Sequence, residues 1–171
     1  YIHAERFLIS YLIGCFSNLL NIKVFYIFCL FSYTLTALLL LINVKILNSL
    51  LVNCNDKIIF YALIIFNPYI YRYHLSNPVM LNDLIFYLGI SVLFLSFIKK
   101  KNSLFYISII FLIISRQTSL IIIIALLIHL LAPFKKDFIE YKKVTFSLLI
   151  FLVNYLIAQY YLNSADISTF Y

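Results

Sequence analysis

The chain has 171 residues, of which 65% are hydrophobic and 11% charged, and a formal net charge of +7. No water-soluble domain of this size covers so much apolar surface with so few polar residues, so lipid is the solvent for most of its length. The positive charge does not point to nucleic acid, because the basic residues sit in short clusters between apolar runs, as they do in the loops of membrane proteins.

Lipid offers the backbone no hydrogen-bond partner, so a spanning segment is either a helix or part of a closed barrel. Leu120 to Ile128 runs apolar without the in/out alternation of a barrel strand. The fold class is therefore all-α, a polytopic transmembrane bundle of about six spans preceded by an amphipathic interfacial helix. A single transmembrane domain accounts for residues 1–171, divided into an outer amphipathic helix at 1–21, the bundle at 22–161 and an outer tail at 162–171. The chain opens at Tyr1 with neither an initiator Met nor a signal-peptide pattern, which reads as a fragment of something longer.

In chain order, the stretch from His3 to Asn21 carries Arg6, Ser10, Gly14, Ser17, Asn18 and Asn21 mostly in steps of three or four, which gives a helix with one polar stripe. Such a helix lies in the interface plane or borders an aqueous cleft. Spans follow near 24–44, 57–72, 79–98, 103–115, 118–133 and 144–161. Several fall short of the ~20 residues that cross the hydrocarbon, as expected of helices beside a cavity or of a re-entrant dip. The pair 103–115 and 118–133 is read either as two helices or as one long helix with a polar interruption. Cys15, Cys29 and Cys54 lack metal or redox spacing and are assigned to packing.

Counting basic residues by alternate loops gives Lys45, Lys57, Lys99, Lys100, Lys101, Lys135, Lys136, Lys142 and Lys143 on one side, and Arg6, Lys23, Arg72 and Arg116 on the other. The lysine-rich loops are thus expected in the cytoplasm of a multi-pass cell-membrane protein, and the turns bearing Arg72 and Arg116 outside. All three arginines fall on the outer side. Arginine's planar fork suits phosphate or carboxylate better than lysine's point charge does, so an anion is expected there, against the plainer reading of coincidence.

The most polar stretch is residues 67–84. Asn67–Pro68 kinks or ends the second span, and Asn77–Pro78 reads as an N-cap with proline at the first helical position. Asp83 then lies about one and a half turns inside the new helix. An ionisable group near the edge of a span is a candidate functional residue, here an orienting partner more readily than a general base. The plain alternative is an ion pair with Arg72 or Arg116. Ser115 to Ser119 places Arg116 and Gln117 between two intensely apolar segments, a more specific choice than a turn requires, although Arg116 also has the option of snorkelling. Arg72, His74 and Arg116 share a side of the membrane and are candidates for one phosphate. His129, Asn154 and Gln159 read as interhelical hydrogen-bond donors and acceptors. No metal-ligand spacing, glycine-rich phosphate loop or Ser/His/Asp constellation is visible, so no metal or cofactor is expected.

The order of these elements resembles a known family. His-Ala-Glu-Arg-Phe leads into an amphipathic helix, Asn-Pro precedes an aromatic-Arg stretch, Ser-Asn-Pro-x-x-x-Asn-Asp-Leu opens a helix, and Ser-Arg-Gln-Thr separates apolar helices. Over residues 2 to about 132 this is similar to the polytopic GT-C-type glycosyltransferases, which move a sugar from a polyprenyl-phosphate carrier on the extracytoplasmic or lumenal side. The Arg-Gln-Thr element is similar to one in the glucosyltransferases that finish the lipid-linked oligosaccharide. The resemblance implies that Arg116, and Arg72 with it, holds the carrier phosphate or diphosphate; Arg6, His74 and Gln117 are further phosphate-binding candidates because they share that outer side. It also implies an acidic base in a first outer loop just after a first transmembrane helix. That helix is absent here, so the base is expected before Tyr1, with Glu5 as the substitute in this chain. Asp83 is a catalytic candidate from its own position at the edge of a span. Membrane lipid, the polyprenyl-phosphate sugar donor and a glycan, lipid or protein acceptor are the partners implied, and nucleic acid is not. Rival readings are a small-solute transporter, a lipid-linked polysaccharide polymerase or ligase, and a non-catalytic membrane subunit.

Overall fold

A computed structural model describes residues 7–51, 53–66, 80–115, 119–131 and 140–164. All the ordered elements among them are α-helices: α1 (Phe7–Leu20), α2 (Val24–Leu50), α3 (Cys54–Ile65), α4 (Leu81–Lys99), α5 (Asn102–Ser115), α6 (Ser119–Leu131) and α7 (Tyr141–Ser164). Three of these, α2, α4 and the Tyr141–Tyr160 part of α7, are long and apolar enough to cross a membrane. The helices within α1, α5 and α6 are apolar but shorter. At 1.5 Å per residue, a 14-residue helix such as α5 reaches only about 21 Å of a hydrocarbon layer roughly 30 Å thick. Each of the six expected spans overlaps a helix, and three of those helices meet the length of a full crossing; residues 67–72 of the second expected span and 132–133 of the fifth lie outside the described residues.

α4 is the centre of the bundle. It packs most extensively against α5 and next against α2. Only Lys100 and Lys101 separate α4 from α5, and so short a connection makes the two helices antiparallel neighbours. Gly89 lets them approach closely: a Cβ built there would meet Leu112 Cγ at 2.9 Å and the Leu112 backbone nitrogen at 3.2 Å. The turn itself uses a left-handed residue, Lys100 at φ 50°, and returns the Lys101 N–H to the Ser96 carbonyl at 3.2 Å. α1 ends in the same way, with Asn21 at φ 53° and the Ile22 N–H on the Ser17 carbonyl at 3.1 Å. Both are Schellman-type closures made without glycine.

Two apolar clusters fill the bundle. One joins Ile9 and Ile13 of α1, Ile27 and Leu39 of α2, and Leu81, Leu84, Leu88 and Val92 of α4. The other joins Phe105, Ile109, Leu112 and Ile113 of α5, Ile123 and Leu126 of α6, and Val144 of α7. That second cluster decides between the two readings of 103–133. In one continuous helix Ile123 would lie about 15 Å along the axis from Ile113. Its membership of the same cluster shows that α6 folds back against its predecessor.

α7 runs parallel to α5. Tyr106 stacks edge-on with Phe146 at 4.8 Å near the start of both helices, and the Asn154 amide donates to the Ile113 carbonyl at 3.2 Å further along both. α1 leans on the first half of α2, where Phe16 and Phe31 approach to 5.8 Å. α3 turns back beside the end of α2, and the Tyr61 hydroxyl donates to Asn48 Oδ1 at 2.9 Å.

Three expectations need correction. α2 continues to Leu50 rather than ending at 44, because Lys45 lies exposed on the helix and its long stem carries the charge outward without breaking the ladder. Cys15 and Cys54 are exposed and only Cys29 is half-buried, so packing within this chain does not account for the first two. The α1 stripe is divided: Ser10, Asn18 and Asn21 are exposed, while Ser17 is buried and its hydroxyl donates to the Ile22 carbonyl where the helix closes.

Candidate functional site

Of the residues singled out as a site, Asp83 is the one that falls among the described residues; Glu5, Arg6, Arg72, His74, Arg116 and Gln117 lie outside them. So do Asn67, Pro68, Asn77 and Pro78, and with them the expected N-cap. Asp83 stands in the first turn of α4, which begins at Leu81, rather than one and a half turns inside it. It is half-buried between the fully buried Leu81 and Leu84. A carboxylate in a first turn faces the positive end of the helix dipole, which is a structural role complete in itself.

The hairpin fixes what shares that end of the bundle. With Gly89 opposite Leu112, counting equal steps along the two antiparallel helices brings Phe86 level with Ser115. Asp83 then lies only about 5 Å further along the axis than the last residue of α5. α6 begins at Ser119, a few residues on, so the start of α4, the end of α5 and the start of α6 form one rim.

The closing turn of α5 is tied down there. Its last carbonyls have no partner within the helix. The Ser115 hydroxyl donates to Leu112 O at 2.8 Å, and Asn154 reaches across from α7 to Ile113 O. Asn154 therefore serves as the interhelical donor expected of it, at the end of α5 that needs one. His129 and Gln159 are both half-buried in their helices.

The opposite end of the bundle carries Lys99, Lys100 and Lys101 of the α4–α5 connection. Because α5 and α7 are parallel, it also carries Glu140, Lys142 and Lys143. Lys143 is 2% exposed, and its Nζ lies 5.8 Å from the centroid of the Phe105 ring, itself wholly buried. A cation over an aromatic face is stabilised by the ring quadrupole, the more so out of water. Sequence reasoning treated Lys143 as an ordinary loop cation. The missed signal is its register: Lys143, Ser147, Asn154 and Ala158 fall on one helical face, and three of the four are buried while Asn154 is half-buried.

The same inversion recurs on other helices. Ser32, Thr36, Ser96, Ser108, Ser115 and Ser147 are all buried. Thr36 donates to Ser32 O at 2.7 Å, Ser96 to Leu93 O at 2.6 Å, Ser108 to Phe105 O at 2.6 Å and Ser147 to Lys143 O at 2.8 Å. Small hydroxyl residues of this kind satisfy themselves on their own helix and let neighbouring helices approach.

No protein-family model matches the chain, and comparison with curated proteins and with solved structures gives no match.

Proposed function

We propose that this chain is part of a GT-C-type membrane glycosyltransferase, moving a sugar from a polyprenyl-phosphate carrier to an acceptor on the extracytoplasmic face. The observation that carries the reading is the shared rim: Asp83, the end of α5 and the start of α6 stand together, at the end of the bundle away from Lys99–Lys101 and Lys142–Lys143. Arg116 and Gln117 belong to the connection between α5 and α6, and Arg72 and His74 to the segment that leads into α4. The positive-inside rule puts the lysine end in the cytoplasm and this rim outside.

The chemistry asks for two things at that depth. In the transfer, an acceptor hydroxyl oxygen bonds to the anomeric carbon as the bond from that carbon to the phosphate oxygen breaks. The hydroxyl proton goes to a carboxylate, and the departing electron pair stays on the phosphate. In this reading Asp83 or Glu5 orients or deprotonates the acceptor, while Arg116, with Arg72, Arg6, His74 and Gln117, holds the phosphate. The carrier's tail stays in hydrocarbon while its head meets the rim. A transporter would instead need polar groups free near the bilayer midplane, and the buried Thr36 and Ser108 hydroxyls inside the helices are each engaged by a carbonyl of their own helix.

The test measures transfer from radiolabelled polyprenyl-phosphate sugar in membranes holding the chain, alongside photo-crosslinking of polyprenyl phosphate. Arg116→Lys is expected to insert normally and to lower transfer and crosslinking together, and Asp83→Asn to lower transfer by about 100-fold while crosslinking persists. Absence of polyprenyl-phosphate crosslinking to the parent chain, or both variants matching it, would remove the reading.

A further inference from the structure

We infer that the lysine-bearing end of the bundle, where the α4–α5 turn meets the start of α7, is a binding site for the phosphate headgroup of an anionic phospholipid. This site is separate from the Asp83 rim and does not rest on sugar transfer.

Two distant parts of the chain supply the charge, and the packing of α7 on α5 brings them together. Lys143 sits over the Phe105 ring, and the Phe105 N–H donates to the Lys101 carbonyl at 3.3 Å. Lys101 is therefore one helical turn from the ring that carries Lys143. Within 99–101 and 140–143, five lysines stand against one carboxylate, Glu140, which acts on Lys143. α4 and α6 end at this side while α5 and α7 begin at it, so the four helix dipoles largely cancel and the lysine side chains set the field.

The roles within the cluster differ by exposure. Lys99, Lys100, Lys101 and Lys142 are exposed and free to reach a headgroup, whereas Lys143 is buried. Lys143 anchors the start of α7 on α5 and adds its field from beneath without touching the ligand.

What lies below the lysines selects a lipid over a free anion. One to two turns down each of the three helices stands an exposed apolar residue: Phe94 on α4 at 49%, Ile107 on α5 at 44% and Leu149 on α7 at 56%. Tyr141, 67% exposed, sits at the level of the lysines, where amphipathic aromatic rings favour the headgroup region. A ligand matching both levels has a phosphate above and acyl chains beside it. Basic clusters at one end of transmembrane helices hold anionic headgroups by this combination.

The chain has no tryptophan, so Tyr141→Trp introduces a single reporter at the site. Its quenching is compared in vesicles containing phosphatidylglycerol or phosphatidylcholine with brominated acyl chains. The expected result is a preference for phosphatidylglycerol of about fivefold or more, weakening as salt rises. Neutralising the exposed cations together, Lys100→Gln, Lys101→Gln and Lys142→Gln, should bring the preference close to one while helical circular dichroism is kept. Should that triple variant lose helix, Lys100→Gln and Lys142→Gln carry the test singly, each lowering the preference about twofold. Equal quenching by the two lipids, or a preference that survives neutralisation, overturns the site. Loss of the preference on adding inorganic phosphate, but not chloride at equal ionic strength, reassigns it to free phosphate and overturns the lipid.

Discussion

α4 and α7 are both long and apolar enough to cross a membrane, yet 44% of the most apolar stretch of α4 is buried against 22% for α7. α4 is held between α2 and α5 and buries Leu81, Leu84, Leu88, Val92 and Leu95 together with Gly89 and Ser96. α7 touches its neighbours through one stripe and leaves Leu148, Leu149, Leu152, Val153 and Leu156 exposed. Hydrophobicity alone does not set burial, since α2 is the most apolar of the three long helices and is buried no more than α7. In lipid a leucine gains no solvent advantage from facing protein, so the inward face is the one whose small or hydrogen-bonding residues allow contact. A water-soluble chain could not leave the α7 face bare.

The sharpest way to break this contrast is to enlarge Gly89. Gly89→Val places methyl groups where even a Cβ would stand 2.9 Å from Leu112 Cγ. The expected cost is about 2–3 kcal/mol, larger than the roughly 0.5 kcal/mol that valine gains over glycine in helix propensity. Unfolding by sodium dodecyl sulfate in mixed micelles measures it, and a neutral result would mean that α4 and α5 are not in close contact.

A smaller effect is expected on the hydrogen bond that the peripheral helix α7 makes to α5. Asn154→Leu leaves the Ile113 carbonyl without its donor, at about 1 kcal/mol in the same assay. Smallest of all, Leu152→Ala on the bare face of α7 should stay within about 0.5 kcal/mol of the parent, since it trades one lipid contact for another. A large loss there would place a protein partner against α7 and narrow the difference between the two helices.

The positions of the helices are readable from sequence because polar clusters such as Lys99–Lys101 punctuate long apolar runs, and hydrocarbon disfavours clustered charge. The start of every expected span falls within three residues of a helix start. The reading is weakest at the start of α7, where the basic-loop count takes Lys143 as a loop cation and begins the span at 144. Lys143 and Ser147 lie at helical spacing with Ala158 on the inner face of α7, and that periodicity marks burial in a membrane protein. The fold-back of α6 is not legible in Ser115 to Ser119, which does not say whether the chain turns; the cluster joining Ile113 to Ile123 does. The expected ends at 21 and 98 lie within a residue of Leu20 and Lys99; the left-handed closures at Asn21 and Lys100 are not legible, because neither residue is the glycine such closures usually employ. Of the candidate site, Asp83 was placed near a helix start from the preceding Asn77–Pro78, and its sharing of a rim with the end of α5 follows from the Lys100–Lys101 turn.

Everything proposed for the two ends depends on their facing opposite sides of one membrane. Single cysteines introduced as Lys100→Cys and Ser119→Cys, with Cys15, Cys29 and Cys54 replaced by serine, are probed in sealed right-side-out vesicles with a membrane-impermeant maleimide. The account predicts that position 119 labels at once and position 100 only after permeabilisation. Labelling of both from outside, or the reverse order, would contradict it.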